Sequence, residues 1–69
     1  MQLSSRNQLP ATIRGIKLGN VMAEVVMEID GGHEVVSAIT RASVEHLGLE
    51  VGQRVVAVIK ATEVMVGRE

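Results

Sequence analysis

Val21-Met22-Ala23-Glu24-Val25-Val26-Met27-Glu28-Ile29, bounded by Gly19-Asn20 before it and Asp30-Gly31-Gly32 after it, is the stretch whose reading decides the fold. Val21, Ala23, Val25, Met27 and Ile29 recur at period two and make one face, while Met22 and Val26 alternate with Glu24 and Glu28 on the other. That is a strand with an apolar core face and a second face that is half apolar. Gly19-Asn20 reads as a hairpin turn tolerant of positive φ, and Asp30-Gly31-Gly32 as the next turn. Outward from the quoted strand, one strand precedes it from about Ala11 to Leu18, and another, His33 to Thr40, follows. Residues 1–8, MQLSSRNQ, form a polar lead-in, and Pro10 disfavours helix at Leu9 and favours an extended entry.

At Thr40 the pattern changes. Thr40 is a fitting N-cap, Val44 and Leu47 lie three apart, and Gly48 is a fitting terminator, so residues 40–48 are predicted to hold one short helix. Glu50-Val51-Gly52-Gln53 then turns into a fourth strand, Arg54 to Lys60, with Val55, Ala57 and Ile59 on one face and Val56 and Val58 on the other. A fifth strand is predicted over Glu63 to Val66. The expectation is an all-β, five-stranded OB-like barrel with one short helix between strands three and four. Strands apolar on both faces need cover on both, and one short helix supplies little, so partner subunits are the expected cover.

Composition sets further bounds. Residues 1–69 are read as a single domain with 46% hydrophobic residues and no aromatic ones, so its core is built from Val, Ile, Leu, Ala and Met. A chain of this length buries about 60% of its extended surface, which leaves little net stability. With no Cys for disulfides and no Cys/His spacing for structural zinc, association with further copies is the remaining common route. A net charge of -1 argues against a general polyanion-binding face, so any anion site is local. No apolar run approaches the ~20 residues that cross a bilayer, and no leader pattern opens the chain; a cytoplasmic location without membrane contact is expected.

Three segments carry anion-binding chemistry. Ser4-Ser5-Arg6-Asn7-Gln8 groups hydroxyls, a guanidinium and amides; a tetrahedral oxyanion needs such donors converging from several directions. Lys60-Ala61-Thr62 puts an ammonium at the rim of the fourth strand, its stem packed on neighbours. Thr40 and Ser43 stand at the helix start, where unpaired N–H groups favour an anion. Each segment alone also fits a blander role: a solvated terminus, a rim lysine, an ordinary cap.

Together, SSRNQLPAT, ITRAS, the LGLEVGQ turn and IKATEVM occur in the order and at about the separations of the molbindin pattern, which commonly reads SARNQ, then IT with a nearby Ser, then K-A-S/T before the last strand. The chain resembles this family, the Mop-type molybdate/tungstate-binding proteins, over essentially its whole length. The resemblance implies an OB-type fold, dimers that exchange strands, and a homohexamer built as a trimer of dimers. It implies molybdate or tungstate held at subunit interfaces, one chain giving the Ser/Arg segment and another the Lys and hydroxyl segments, for intracellular molybdenum storage and homeostasis. Carried onto matching positions, the oxyanion-binding residues are Ser4, Ser5, Arg6, Thr40, Lys60, Ala61 through its backbone, and Thr62. Three departures stand out: Ser5 replaces the usual Ala, Ala11 a frequent Gly, and Thr62 a common Ser. Whether Ser5 adds a donor or faces water is open at this level.

Such a donor set suits molybdate and tungstate, which are fully deprotonated dianions at neutral pH. Phosphate is partly protonated there and its P–OH asks for an acceptor, whereas this set contains no carboxylate. Sulfate is separated only by its shorter bonds, hence by cavity size. No nucleophile and base pair emerges, so a binder rather than an enzyme is expected, with no metal ion ligated directly by side chains. His33 and His46 are read as surface or capping residues, Met22, Met27 and Met65 as core filler, and Glu24 and Glu28 as alternating on one strand face with no sign of the pocket a paired-carboxylate mechanism needs. The alternative is a swapped-hairpin DNA-binding regulator, because ITRASVEHLGLEVGQRV is similar to the turn region of AbrB-like transcription factors; against it, the seven Lys and Arg are dispersed and balanced by eight acids. A single-stranded nucleic-acid module lacks its aromatic platforms here.

Overall fold

The computed structural model describes residues 4–69; the first three residues of the expected polar lead-in lie outside it. Element order is β1 (Asn7–Leu18), β2 (Met22–Ile29), β3 (Glu34–Thr40), α1 (Arg41–Leu47), β4 (Arg54–Ile59) and a 3-10 turn, η1 (Ala61–Glu63). All strands are antiparallel, in the spatial order β3-β2-β1-β4.

β1 starts four residues earlier than its apolar alternation suggests, because Asn7 to Pro10 pair with Ile59 to Val56. Pro10 is tolerated there: its carbonyl accepts from the Asp30 N–H on the β2 side, so its missing N–H faces that same side, beyond the end of β2. A β-bulge at Arg14 shifts the β1–β2 register. Ile13 opposes Met27 and Ile16 opposes Val25, so both reach the core face although they are three residues apart. The Gly19–Val21 turn holds no residue at positive φ among those described, contrary to expectation. Gly19 is demanded by close approach instead: its N–H donates to the Met22 carbonyl at 2.8 Å, and a Cβ would meet that same oxygen at 2.8 Å.

Of the predicted core face of β2, Ala23, Val25 and Met27 are buried and Ile29 packs against them, whereas Val21 lies in the turn before β2 and is 72% exposed. Ala11, Ile13, Ala23, Val25, Met27, Val44 and Ala57 are buried together. Thr40 caps α1, accepting from the Ser43 N–H at 3.0 Å, and Gly48 ends it in the left-handed region at φ 62°. The Gly48 and Leu49 N–H groups return to the Glu45 and Val44 carbonyls, which points Leu49 back onto the core beside Val44.

The predicted fifth strand is absent among the described residues. Residues 61–63 form η1, and the chain beyond it is exposed and unpaired, Met65 and Val66 at 94%. Val64-Met65-Val66 has strand propensity, but β1 already has neighbours on both sides and the tail lies against neither free edge. Met65 is therefore not core filler, and Met22, half exposed on the outer face, is not either; Met27 is. The sheet curls without closing. Between the unpaired edges of β3 and β4 lies an apolar cleft of about 520 Å³, floored by Ile13, Val25 and Met27 and walled by Val35, Ile39, Val55 and Ile59. No helix of the described residues is long and apolar enough to cross a membrane.

Candidate functional site

The antiparallel pairing of β1 with β4 brings the two ends of the chain together. Its last rung is Asn7 opposite Ile59. Beyond that rung the ladder stops: Arg6 lies in a bend before β1, Lys60 follows β4, and Ala61–Glu63 turn into η1, so Ser4–Arg6 and Lys60–Thr62 are the segments that adjoin the rung. Side-chain hydrogen bonds hold this junction. The Ser5 hydroxyl donates to the Ile59 carbonyl at 2.8 Å and the Asn7 amide donates to the same oxygen at 3.0 Å. Gln8 reaches back to the Ser5 carbonyl at 2.8 Å. Exposure alternates along the segment: Ser4, Arg6 and Gln8 face solvent, while Ser5 and Asn7 are half-buried against β4.

Arg6 and Lys60 are both exposed, and neither forms an ion pair among the described residues, where Arg14, Arg41 and Arg54 engage Glu28, Glu45 and Asp30. Like charges on neighbouring strands repel, and an anion between them removes the repulsion. In η1 the internal hydrogen bonds start at the N–H groups of Glu63 and Val64, which leaves those of Ala61 and Thr62 unused by the turn. Glu63 is exposed in the same turn and pairs with neither cation.

Six of the seven sequence-predicted residues thus share one end of one chain. The expected division, with the Ser/Arg segment on one subunit and the Lys segment on another, is not needed to bring these two together. Thr40 is the exception. It opposes Met22, beside the far end of β1, and at about 3.3 Å per residue the strand runs on the order of 35 Å, most of the molecule's 36 Å length. Its oxygen also lies 2.7 Å from the Ser43 hydroxyl, so it donates outward only when Ser43 supplies the proton between them. His33 and His46 are exposed, and no cluster of three His, Cys, Asp or Glu that could hold a metal ion exists among the described residues. Sequence reasoning did not single out Asn7 by role; its signal was its place in SSRNQ, and its partner is a backbone oxygen that no motif displays.

The TOBE domain family model matches residues 3–66. Molybdenum-pterin-binding protein 1 of Clostridium pasteurianum is 48% identical over 66 residues, which cover 96% of this chain and 97% of that one. Among solved structures, MopII from Clostridium pasteurianum superposes with a TM-score of 0.92 at 46% identity, over 97% of this chain and 100% of that one. A molybdate-binding protein from Sporomusa ovata gives 0.92 at 47% identity, over 99% and 100%. With the same curled sheet and short helix matched over nearly its full length, this chain belongs to the TOBE domain family, among the small molybdenum-pterin-binding proteins called molbindins.

Proposed function

We propose that this protein binds molybdate or tungstate as an intact dianion, with Arg6 and Lys60 as its charged donors, and stores it inside the cell without chemical change. The observation that supports this reading is the Asn7–Ile59 rung, the last of the ladder, which Arg6 precedes on one strand and Lys60 follows on the other, both exposed and neither in an ion pair among the described residues. Ser4, Thr62 and the N–H groups of Ala61 and Thr62 supply further donors there. The Sporomusa ovata protein it resembles is a molybdate-binding protein by name. Several relatives also carry pterin in their names, but this chain has no Phe, Tyr or Trp on which the flat face of a pterin could stack. The inorganic anion is the ligand.

The assembly we infer is a homo-oligomer, a hexamer formed as a trimer of strand-exchanged dimers. Two free strand edges flanking an apolar cleft, together with an exposed Val64-Met65-Val66 tail, support exchange of that tail between copies. Thr40, remote from Lys60 in its own chain, then serves a site completed by another copy. The DNA-binding alternative gains nothing here, because among the described residues Arg14, Arg41 and Arg54 are each paired with a carboxylate.

Elemental analysis of the purified protein with its native mass tests the reading directly; stoichiometric molybdenum or tungsten on a hexamer is expected, and a metal-free monomer that takes up no added molybdate would refute it. In calorimetric titration with molybdate, Arg6→Ala and Lys60→Ala are each expected to weaken binding by at least about tenfold, since each removes a charge-assisted hydrogen bond of roughly 1.5–3 kcal/mol. Unchanged affinity in both variants would remove the site assignment.

A further inference from the structure

We propose that Ser5 is a positioning residue and not an oxyanion ligand: with Asn7 it clamps the Ile59 carbonyl and so holds Lys60 in place at the end of the ladder before any anion arrives. The inference rests on the reading of Arg6 and Lys60 as the anion site. A serine hydroxyl has one proton, and that of Ser5 is donated to Ile59 over 2.8 Å. What remains on the oxygen is acceptor capacity, which a fully deprotonated dianion cannot use. The Asn7 amide donates to the same carbonyl at 3.0 Å, so two side chains of one short segment hold that oxygen at the last rung of the ladder.

The consequence passes through the peptide plane. The bond between Ile59 and Lys60 is planar and trans, so fixing the direction of the Ile59 carbonyl fixes the Lys60 N–H pointing the opposite way and sets the Lys60 Cα at the rim. The ladder ends at the Asn7–Ile59 rung, and the next residue on each strand, Arg6 and Lys60, is an exposed cation. Without a bound anion, their repulsion favours fraying of this junction; two hydrogen bonds to one carbonyl oppose it. The half-buried placement of Ser5 and Asn7, alternating with exposed Ser4 and Arg6, separates holding groups from groups that face the ligand.

The test uses isotope-labelled full-length protein and molybdate as the probe. Ser5 precedes the first strand and is only half-buried, so Ser5→Ala leaves the core untouched. In the molybdate-free state, Ser5→Ala is expected to move the Ile59 carbonyl carbon resonance and speed exchange of the Lys60 amide, and Ser5→Thr to restore both. Molybdate affinity should fall by roughly three- to tenfold in Ser5→Ala, as for the loss of one ordinary hydrogen bond, and recover in Ser5→Thr. Lower affinity with Ile59 and Lys60 unchanged in the free state would make Ser5 a direct ligand and overturn the proposal; no change in either measurement would make it a bystander and do the same. If instead Arg6→Ala and Lys60→Ala bind molybdate normally, the site reading fails, and the free-state resonances still report separately on the clamp.

Discussion

Asp30 illustrates what a single residue contributes away from the anion site. Arg54 Nη1 and Nη2 donate to its two carboxylate oxygens at 2.7 and 2.9 Å, and Nη1 also reaches Thr12 at 2.9 Å, so one guanidinium ties the β2–β3 turn to β1 and β4. The hydrogen bonds from Arg54, aided by its charge, hold the Asp30 carboxyl below its ordinary value of 3.8. A carboxyl with a lowered folded-state pKa stabilises the fold fully above its ordinary value and loses that contribution as pH falls below it. Asp30→Asn is therefore expected to lower stability modestly at pH 7, since the pair is exposed, and to lose progressively less below about pH 4, so that the acid side of the profile flattens by the same small amount; thermal midpoints across pH 2–7 check this. Asp30 and Arg54 are 24 positions apart, and nothing in either segment announces their pairing. Arg6 and Lys60, by contrast, were readable as candidates from residue type, because only cations and hydroxyl donors suit a dianion. That they adjoin the last rung of one chain's β1–β4 ladder is a matter of register.

Among the elements, α1 is the one whose both ends the sequence spells out. Thr40 as cap and Gly48 as terminator follow from local backbone chemistry, which operates within a few residues. Gly48 sits at φ 62° with open space around the position a Cβ would take, so Gly48→Ala carries only the left-handed backbone penalty, roughly 1 kcal/mol. Chemical denaturation should show a loss of that size with the denaturant dependence unchanged; a neutral substitution would mean that Gly48 does not set the helix end. β1 was less legible. Strict alternation cannot place Ile13 and Ile16 on one face, and the bulge at Arg14 that does so arises from fitting β1 to β2. The error over Glu63 to Val66 has the same origin: strand propensity there is real, but a strand exists only where another backbone accepts its hydrogen bonds.

At the scale of the molecule, the unfilled side of the sheet is the dominant fact. Val36, Val56 and Val58 on the outer face and the cleft between β3 and β4 leave much apolar surface in water for so small a protein. If the tail exchanges between copies as proposed, removing residues 64–69 is expected to leave a monomer and lower the melting midpoint by roughly 5 °C or more, read by native mass spectrometry and thermal scanning. Retention of both the assembly and the midpoint would show that the tail does not fill the cleft.

By itself the sequence determined what depends on neighbours along the chain: the all-β class, the buried faces of β2 and β4, the capped helix, and the residue types able to surround an oxyanion. Tertiary structure alone decided what depends on distant pairing. It fixed the bulge at Arg14, the four strands in place of five, the hydroxyl of Ser5 turned to Ile59, and the separation of Thr40 from the other donors. The physical reason is that side-chain periodicity and capping are set within a few residues, whereas register and edge pairing are set by whichever backbone arrives alongside.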